Sequence, residues 1–137
     1  MNSTERIAAM ITYLSTLQAH LAKHRGLAGP FNVSIDVETV RANAVVQLDS
    51  NHRLSAVAGG LLTWADSLTE VTAEAWRPRS GDTVHLSVSG VTGGVSLRAY
   101  DATPLDETVF GDLAAGERRL ITLGQLRTWA TGAGVAA

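Results

Sequence analysis

The apolar residues of this chain repeat with two different periods, and this feature constrains the fold more than any other. In residues 4–25 they recur every three or four positions, as at Ile7, Ile11 and Leu14, which is the spacing of an amphipathic helix. In residues 83–100 apolar and polar residues alternate on both sides of a glycine pair, which is typical of a β-hairpin with one buried face. A chain that contains both periods is expected to fold as an α+β domain.

The two periods continue along the rest of the chain. Alternation at residues 31–37 and 44–48 predicts another hairpin, and alternation at 71–76 predicts a third strand between the two hairpins. Helical spacing returns at residues 54–68 and 120–130, once after each hairpin. We therefore expect an antiparallel sheet of about five strands, a long N-terminal helix, and a helix after each of the two hairpins.

The length of 137 residues predicts a single α+β domain over residues 1–137, which is large enough to bury a core without disulfides or a structural metal. Within it, residues 101–118 show no sustained period and predict a long surface loop. The glycine- and alanine-rich residues 132–137 predict a flexible tail.

Two of the predicted helices share a short sequence pattern. The pattern Gly-x-Leu-x-Thr-Trp-Ala occurs at residues 59–65 and again at residues 124–130. Duplication of a strand–strand–helix unit is one interpretation. Coincidence between two amphipathic helices in a compositionally biased chain is the other, and the sequence leaves both open.

Composition excludes several classes of protein. The chain has no cysteine, which removes disulfide scaffolds, thiolate metal sites and cysteine nucleophiles. No apolar stretch approaches the roughly 18 residues that span a bilayer, and no signal peptide is evident at the start, so we expect a cytoplasmic protein without a membrane partner. The net charge of -2, with one lysine among 11 basic residues, makes nucleic acid an unfavoured partner. Two small basic patches could still contact phosphates: Arg118, Arg119 and Arg127 near the third predicted helix, and Arg77 and Arg79 before the fourth predicted strand.

No catalytic, cofactor or metal motif stands out. His20 and His24 have the i, i+4 spacing at which two imidazoles share a metal, but the sequence marks no third ligand. His85 could be drawn beside an aspartate and a serine, yet such residues recur on any polar strand face. The sequence therefore predicts no catalytic residues, no metal and no cofactor, and a protein that is not an enzyme.

A candidate binding surface follows from the strand pattern. If the apolar positions of residues 83–100 are buried, His85, Arg98 and Tyr100 lie on the opposite face, and Trp76 is placed to join them. Tryptophan, tyrosine and arginine are enriched at binding hot spots, so these four residues are the predicted partner- or ligand-binding site. An ordinary solvated sheet face is the competing interpretation.

Four stretches resemble a family of small uncharacterised proteins from Streptomyces-type actinobacteria and their mobile elements: Leu61-Leu62-Thr63-Trp64-Ala65-Asp66, Ala75-Trp76-Arg77-Pro78, Val84-His85-Leu86-Ser87-Val88 and Val109-Phe110-Gly111-Asp112-Leu113. The resemblance covers most of residues 5–131. It implies an actinobacterial origin but no activity, because that family has none assigned, and it gives no residue a role.

The leading functional hypothesis is a non-catalytic protein–protein interaction module of the adaptor or chaperone-like kind. The alternative is a small-molecule-binding or minor enzymatic domain that uses the polar face of the last hairpin, and weak nucleic-acid binding is third. The apolar stripe of residues 4–25 is long for a domain of this size, so we also expect a homodimer through the N-terminal helix.

Overall fold

A computed structural model describes residues 1–38, 41–50 and 52–132 of the chain. In chain order its elements are α1 (Ser3–Lys23), β1 (Pro30–Ile35), β2 (Ala44–Leu48), α2 (Leu54–Ser67), β3 (Thr69–Trp76), β4 (Thr83–Thr92), β5 (Val95–Pro104), α3 (Glu107–Phe110), β6 (Arg118–Ile121) and α4 (Leu123–Thr131). The α+β class and the long N-terminal helix are confirmed, with one more strand than expected.

The strands form one sheet in the order β1-β2-β5-β4-β3-β6. All neighbouring strands are antiparallel except β2 and β5, which are parallel. The predicted antiparallel sheet is thus mostly antiparallel, and its one parallel pair follows from the chain path. Helix α2 carries the chain across the sheet from β2 to β3, and such a crossover leaves two strands parallel. The β3-β4-β5 meander then brings β5 back beside β2 in the same direction.

The core lies between the sheet and helices α2 and α4. We call the covered side the inner face. Helix α2 contacts β4, β5 and α4, and its residues Val57, Leu61 and Trp64 are fully buried. Gly60 allows the close approach of this helix to the segment before β1, since a Cβ at this position would lie 3.3 Å from the Cβ of Ala28. Of the adjacent Gly59 and Gly60 in this helix, only Gly60 makes such a close contact.

The region after β4 differs most from the prediction. The predicted loop over residues 101–118 is shorter, because β5 continues through Asp101 to Pro104 and α3 follows. Residues 118–121 form β6, an edge strand that pairs with β3, so the last helix begins at Leu123 rather than near residue 120. A strand of four residues is too short to show its alternation clearly. The predicted tail, residues 132–137, lies outside the described residues except for Gly132.

The two helices that share the Gly-x-Leu-x-Thr-Trp-Ala pattern pack against each other. The leucine and tryptophan of both copies, Leu61 and Trp64 in α2 and Leu126 and Trp129 in α4, are buried. Their surroundings differ, because α2 directly follows the β1-β2 hairpin, whereas α3 and β6 lie between the β4-β5 hairpin and α4. Equivalent burial is therefore one physical reason for the shared pattern.

Candidate functional site

The side of the sheet opposite α2 and α4, which we call the outer face, carries the predicted binding residues. The cross-strand register places on it Thr72, Glu74 and Trp76 of β3, His85, Ser87 and Ser89 of β4, Arg98 and Tyr100 of β5, and Arg118 and Leu120 of β6. The alternation in β4 and β5 that buries Val84, Leu86, Leu97 and Ala99 on the inner face directs these side chains outward. The four residues that sequence analysis singled out thus share one face.

Three rings form a row across the centre of this face. The ring centroids of Trp76 and His85 are 5.2 Å apart, and those of His85 and Tyr100 are 6.1 Å apart. At one end of the row, the guanidinium carbon of Arg118 lies 4.5 Å from the centroid of the Trp76 ring, which is cation–π geometry. We call Trp76, His85 and Tyr100 the aromatic row. All three side chains are partly exposed and are held by neighbours on adjacent strands.

The environment of His85 keeps its imidazole neutral. Burial lowers the pKa of His85 most, and the cations Arg98 and Arg118 lower it further, against a smaller opposing effect of Asp101. A lowered pKa leaves the ring uncharged at neutral pH. The aromatic row therefore presents three neutral rings, with Arg118 at one end and Arg98 two residues from Tyr100 on β5.

A cavity lies next to the aromatic row on the same face. It has a volume of about 210 Å³ and is lined by Arg41, Ala42, Thr72, Ala73, Glu74, Ser87, Ser89, Arg98, Arg118 and Leu120. We call it the arginine cavity. A neighbouring cavity of about 440 Å³ shares Arg41, Ala42 and Arg98 with it and extends to Ser34 and Asp36. The described part of the β1–β2 connection thus borders both cavities, and the aromatic row lies outside them on the same face.

The charged groups of the arginine cavity are unequally paired. Arg118 forms a salt bridge with Glu74 at 2.8 Å. The Nε atom of Arg98 is buried and has no hydrogen-bond partner, and within the described residues no hydrogen bond or salt bridge involves this side chain. The sequence analysis did not single out Glu74 or Arg41. It assigned Arg118 to a separate basic patch because it did not detect β6.

The arginine patch at the third predicted helix is divided by the structure. Arg118 is on the outer face, whereas Arg119 forms salt bridges with Asp112 at 2.9 Å and with Glu117 at 3.0 Å. These carboxylates raise the pKa of Arg119 and neutralise its charge locally. Two of the arginines proposed to contact phosphates are therefore paired with carboxylates.

A histidine cluster on the other side of the molecule has a structural role. His20 is buried, and its Nδ1 and Nε2 atoms lie 2.8 Å from Thr92 Oγ1 and 2.8 Å from Ser67 Oγ. The Ser67 hydroxyl donates to the carbonyl of Trp64 at 2.7 Å, so it accepts a hydrogen bond from His20. An activated serine would instead donate to the imidazole. Both ring nitrogens are used, so His20 is not available to share a metal with His24.

A larger cavity lies away from the predicted site. Its volume is about 820 Å³, and its lining includes His52, Arg53, Thr103, Asp106 and Glu107. Its polar groups serve the local fold: Asp106 caps α3 by accepting from the amide of Thr108, and the Thr103 hydroxyl donates to the carbonyl of His52 at 2.9 Å. None of the four predicted binding residues lines this cavity, and these polar groups are already used in hydrogen bonds of the fold. The outer face is therefore the better candidate site.

The described residues contain neither a metal-binding cluster nor a membrane-spanning helix that would suggest a different site. In residues 1–38, 41–50 and 52–132 no group of three or more histidine, aspartate or glutamate side chains is arranged to hold a metal ion. None of the helices in the same residues is long and apolar enough to cross a bilayer. Comparison of the chain with protein-family models, curated proteins and solved structures finds no match.

Proposed function

We propose that this protein is a non-catalytic binding module that takes a segment of a partner protein on its outer face. The observation that carries the proposal is the aromatic row, which crosses a sheet face that helices α2 and α4 leave uncovered. Aromatic and arginine side chains supply most of the binding energy at protein interfaces. Because cross-strand neighbours already hold Trp76 and His85, little side-chain entropy is lost when a partner binds.

The dimensions of the site favour a protein segment over an enclosed metabolite. The arginine cavity, at about 210 Å³, shares Arg41, Ala42 and Arg98 with its neighbour of about 440 Å³, so two openings lie side by side on the face, whereas a typical small-molecule site is one concave pocket of roughly 300–1,000 Å³. The aromatic row lies outside that cavity on the open part of the face. A ligand that contacts both must extend over several strands, as a peptide segment or a protein surface does.

The geometry gives little support to the enzymatic alternative. Within the described residues His85 has no hydrogen-bonded nucleophile, and Asp101, which acts on its pKa, belongs to the inner face opposite Leu86. General acid–base and nucleophilic catalysis need such partners within hydrogen-bond reach. His85 therefore serves the proposed function as a neutral ring of the aromatic row.

Nucleic acid is a weaker candidate partner. Rows of aromatic rings on a sheet also stack nucleobases, so the outer face has one of the features that single-strand binding requires. Such proteins also need a positive surface that follows the backbone, and this chain has a net charge of -2. The proposed partner is accordingly a protein, and the cytoplasm stays the predicted location.

The proposal is tested by affinity capture from an actinobacterial extract followed by binding measurements with the purified captured protein. Tyr100→Ala removes one ring of the aromatic row, and Tyr13→Ala on α1 is the matched control. We expect a captured protein that binds the wild type and Tyr13→Ala equally but binds Tyr100→Ala at least about tenfold more weakly, the size of a hot-spot loss. Equal affinity for all three proteins, or capture that nuclease treatment abolishes, would overturn the proposal.

A separate proposal concerns self-association through α1 and β1. Ile7, Ile11 and Leu14 on α1 and Phe31 on the edge strand β1 are exposed. The Arg6–Glu38 salt bridge, at 2.8 Å, ties the start of α1 to the segment after β1, and α1 contacts β1, so the two elements are neighbours. A second copy related by a two-fold axis would cover this apolar surface and the free edge of β1 together. We therefore propose a homodimer through these two elements.

A further inference from the structure

Within the described residues, Arg98 differs from the partly buried Arg77 and Arg119 in that its side chain has no hydrogen-bond or salt-bridge partner. Its buried Nε atom makes no hydrogen bond. Arg77 also has an unpaired Nε, but its guanidinium donates to the carbonyl of Leu113 at 2.9 Å. Arg118 and Arg119 are each held by carboxylates. A partly buried cation without a counter-charge costs free energy that a bound anion would recover.

The surroundings of Arg98 are positive and rich in hydroxyl groups. Three arginines line the arginine cavity, and the one acidic residue in its lining, Glu74, is already paired with Arg118. Ser89 lies directly opposite Arg98 on the neighbouring strand, and Ser87 and Thr72 also line the cavity. Asp36 lies in the adjacent cavity, where its Oδ1 atom accepts the amide hydrogen of Glu38. Guanidinium and hydroxyl donors together suit an oxyanion.

We infer that the arginine cavity binds a side-chain carboxylate of the partner segment, an inference that rests on the proposed binding function. Arg98 and Tyr100 are two residues apart on β5 and share a face, so their Cα atoms are separated by roughly 7 Å. A segment with an acidic residue close to an aromatic or aliphatic one can reach both sites. A carboxylate is the oxyanion that an unmodified protein segment carries, and its two oxygens match the planar guanidinium of Arg98, which favours a carboxylate over a phosphate.

The experiment uses N-acetylglutamate N-methylamide as the carboxylate probe, with the uncharged glutamine analogue as its control. Binding is followed in ¹H–¹⁵N spectra through the Nε–Hε group of Arg98 and the amides of Ser87 and Ser89. We expect saturable shifts with the glutamate probe and none with the glutamine analogue. Non-saturating shifts would overturn the site, and saturation by inorganic phosphate but not by the glutamate probe would overturn the carboxylate assignment.

Four variants, of which Arg127→Gln is a control, sharpen the test. Arg98→Gln should weaken probe binding by about tenfold, as expected for loss of a charge-assisted hydrogen bond, while Arg127→Gln on the exposed surface of α4 should leave it unchanged. Glu74→Gln removes the competing carboxylate and releases Arg118, so it should strengthen binding. Unchanged binding in both Arg98→Gln and Glu74→Gln would overturn the inference. Tyr100→Ala should retain probe binding while losing the partner, which separates failure of this inference from failure of the proposed function.

Discussion

Helices α1 and α2 carry apolar stripes of similar quality in the sequence, but the structure uses them differently. Val57, Leu61 and Trp64 of α2 are fully buried against the sheet and α4. On α1, Ile7, Ile11 and Leu14 are 61%, 59% and 52% exposed, and only Leu17 and His20 near its end are buried. Hydrophobic periodicity thus predicts that a helix forms and which side faces apolar material, but it does not predict what covers that side.

The largest expected difference between the two helices is in the free energy of unfolding. Leu61→Ala leaves a cavity in a fully buried position of α2 and should cost about 2–5 kcal/mol. Ile11→Ala on α1 removes an exposed side chain and should change stability by less than about 0.5 kcal/mol in the monomer. Urea denaturation of both variants at low protein concentration measures this difference. Similar losses would show that α1 is as deeply packed as α2.

The contrast explains what the sequence could and could not predict. The inner and outer faces of β4 and β5 were predictable because ten-residue strands with regular alternation leave one register that buries Val84 and Leu86. Strand β6 was not, because its four residues show too little alternation, and without it Arg118 could not be placed beside Trp76. The parallel β2–β5 pair depends on where α2 delivers the chain, which is a property of tertiary packing.

The candidate site likewise contains residues that the sequence could place and residues that it could not. Trp76, His85, Arg98 and Tyr100 were predicted to share a face because same-face residues on a strand follow from period 2. Glu74 lies on that face by the same rule but was overlooked, since a lone acidic residue in a strand is unremarkable in sequence. The arrangement of Arg41 over the sheet depends on the conformation of the β1–β2 connection, for which no tight-turn pattern existed.

His20 marks the boundary between the covered and uncovered parts of α1, and its removal should also destabilise the fold. Its side chain joins α1 to Ser67 and Thr92 by two hydrogen bonds. His20→Ala should therefore cost about 1–3 kcal/mol at pH 7.5, since two partly buried hydroxyls lose their partner. Chemical denaturation measures the loss, with His52→Asn at an exposed position as the control. Equal stability of the two variants would mean that α1 is not anchored through His20.

The same residue should make stability depend on pH. Burial lowers the pKa of His20 most, and the nearby His24 and Lys23 lower it further. The unfolded chain, whose histidine pKa is about 6.5, takes up a proton first as the pH falls. The contribution of neutral His20 is therefore complete above about pH 6.5 and is lost as the pH falls through its lower folded-state pKa.

Denaturation of the wild type, His20→Ala and His85→Gln between pH 7.5 and 5 tests this dependence. The pKa of His85 is also lowered, mainly by burial, so each variant should flatten part of the wild-type pH profile. A wild-type protein that becomes more stable as the pH falls over this range would contradict the direction of both shifts.

The comparison extends to the two faces of the sheet through two tryptophans. Trp64 is fully buried on the inner side, and Trp64→Ala should cost about 3–5 kcal/mol. Trp76 is partly exposed and contacts Arg118 and His85, so Trp76→Ala should cost no more than about 1 kcal/mol, the scale of an exposed cation–π contact. Thermal or urea denaturation of both variants measures these two losses of stability. A large loss for Trp76→Ala would place this residue in the core and remove it from the binding surface.

Ile11→Glu is expected to have the smallest effect on the folding of a single chain. It is also the most direct test of why the apolar stripe of α1 is exposed while that of α2 is buried. A charge at this exposed position leaves the monomer fold intact but opposes burial of α1 against a second copy. Sedimentation equilibrium should therefore show a dimer for the wild type and a monomer for Ile11→Glu. Leu120→Glu, at an exposed apolar residue on the outer face, is the matched control and should remain dimeric. If Leu120→Glu alone became monomeric, self-association would belong to the outer face, and the uncovered stripe of α1 would not be the dimer interface.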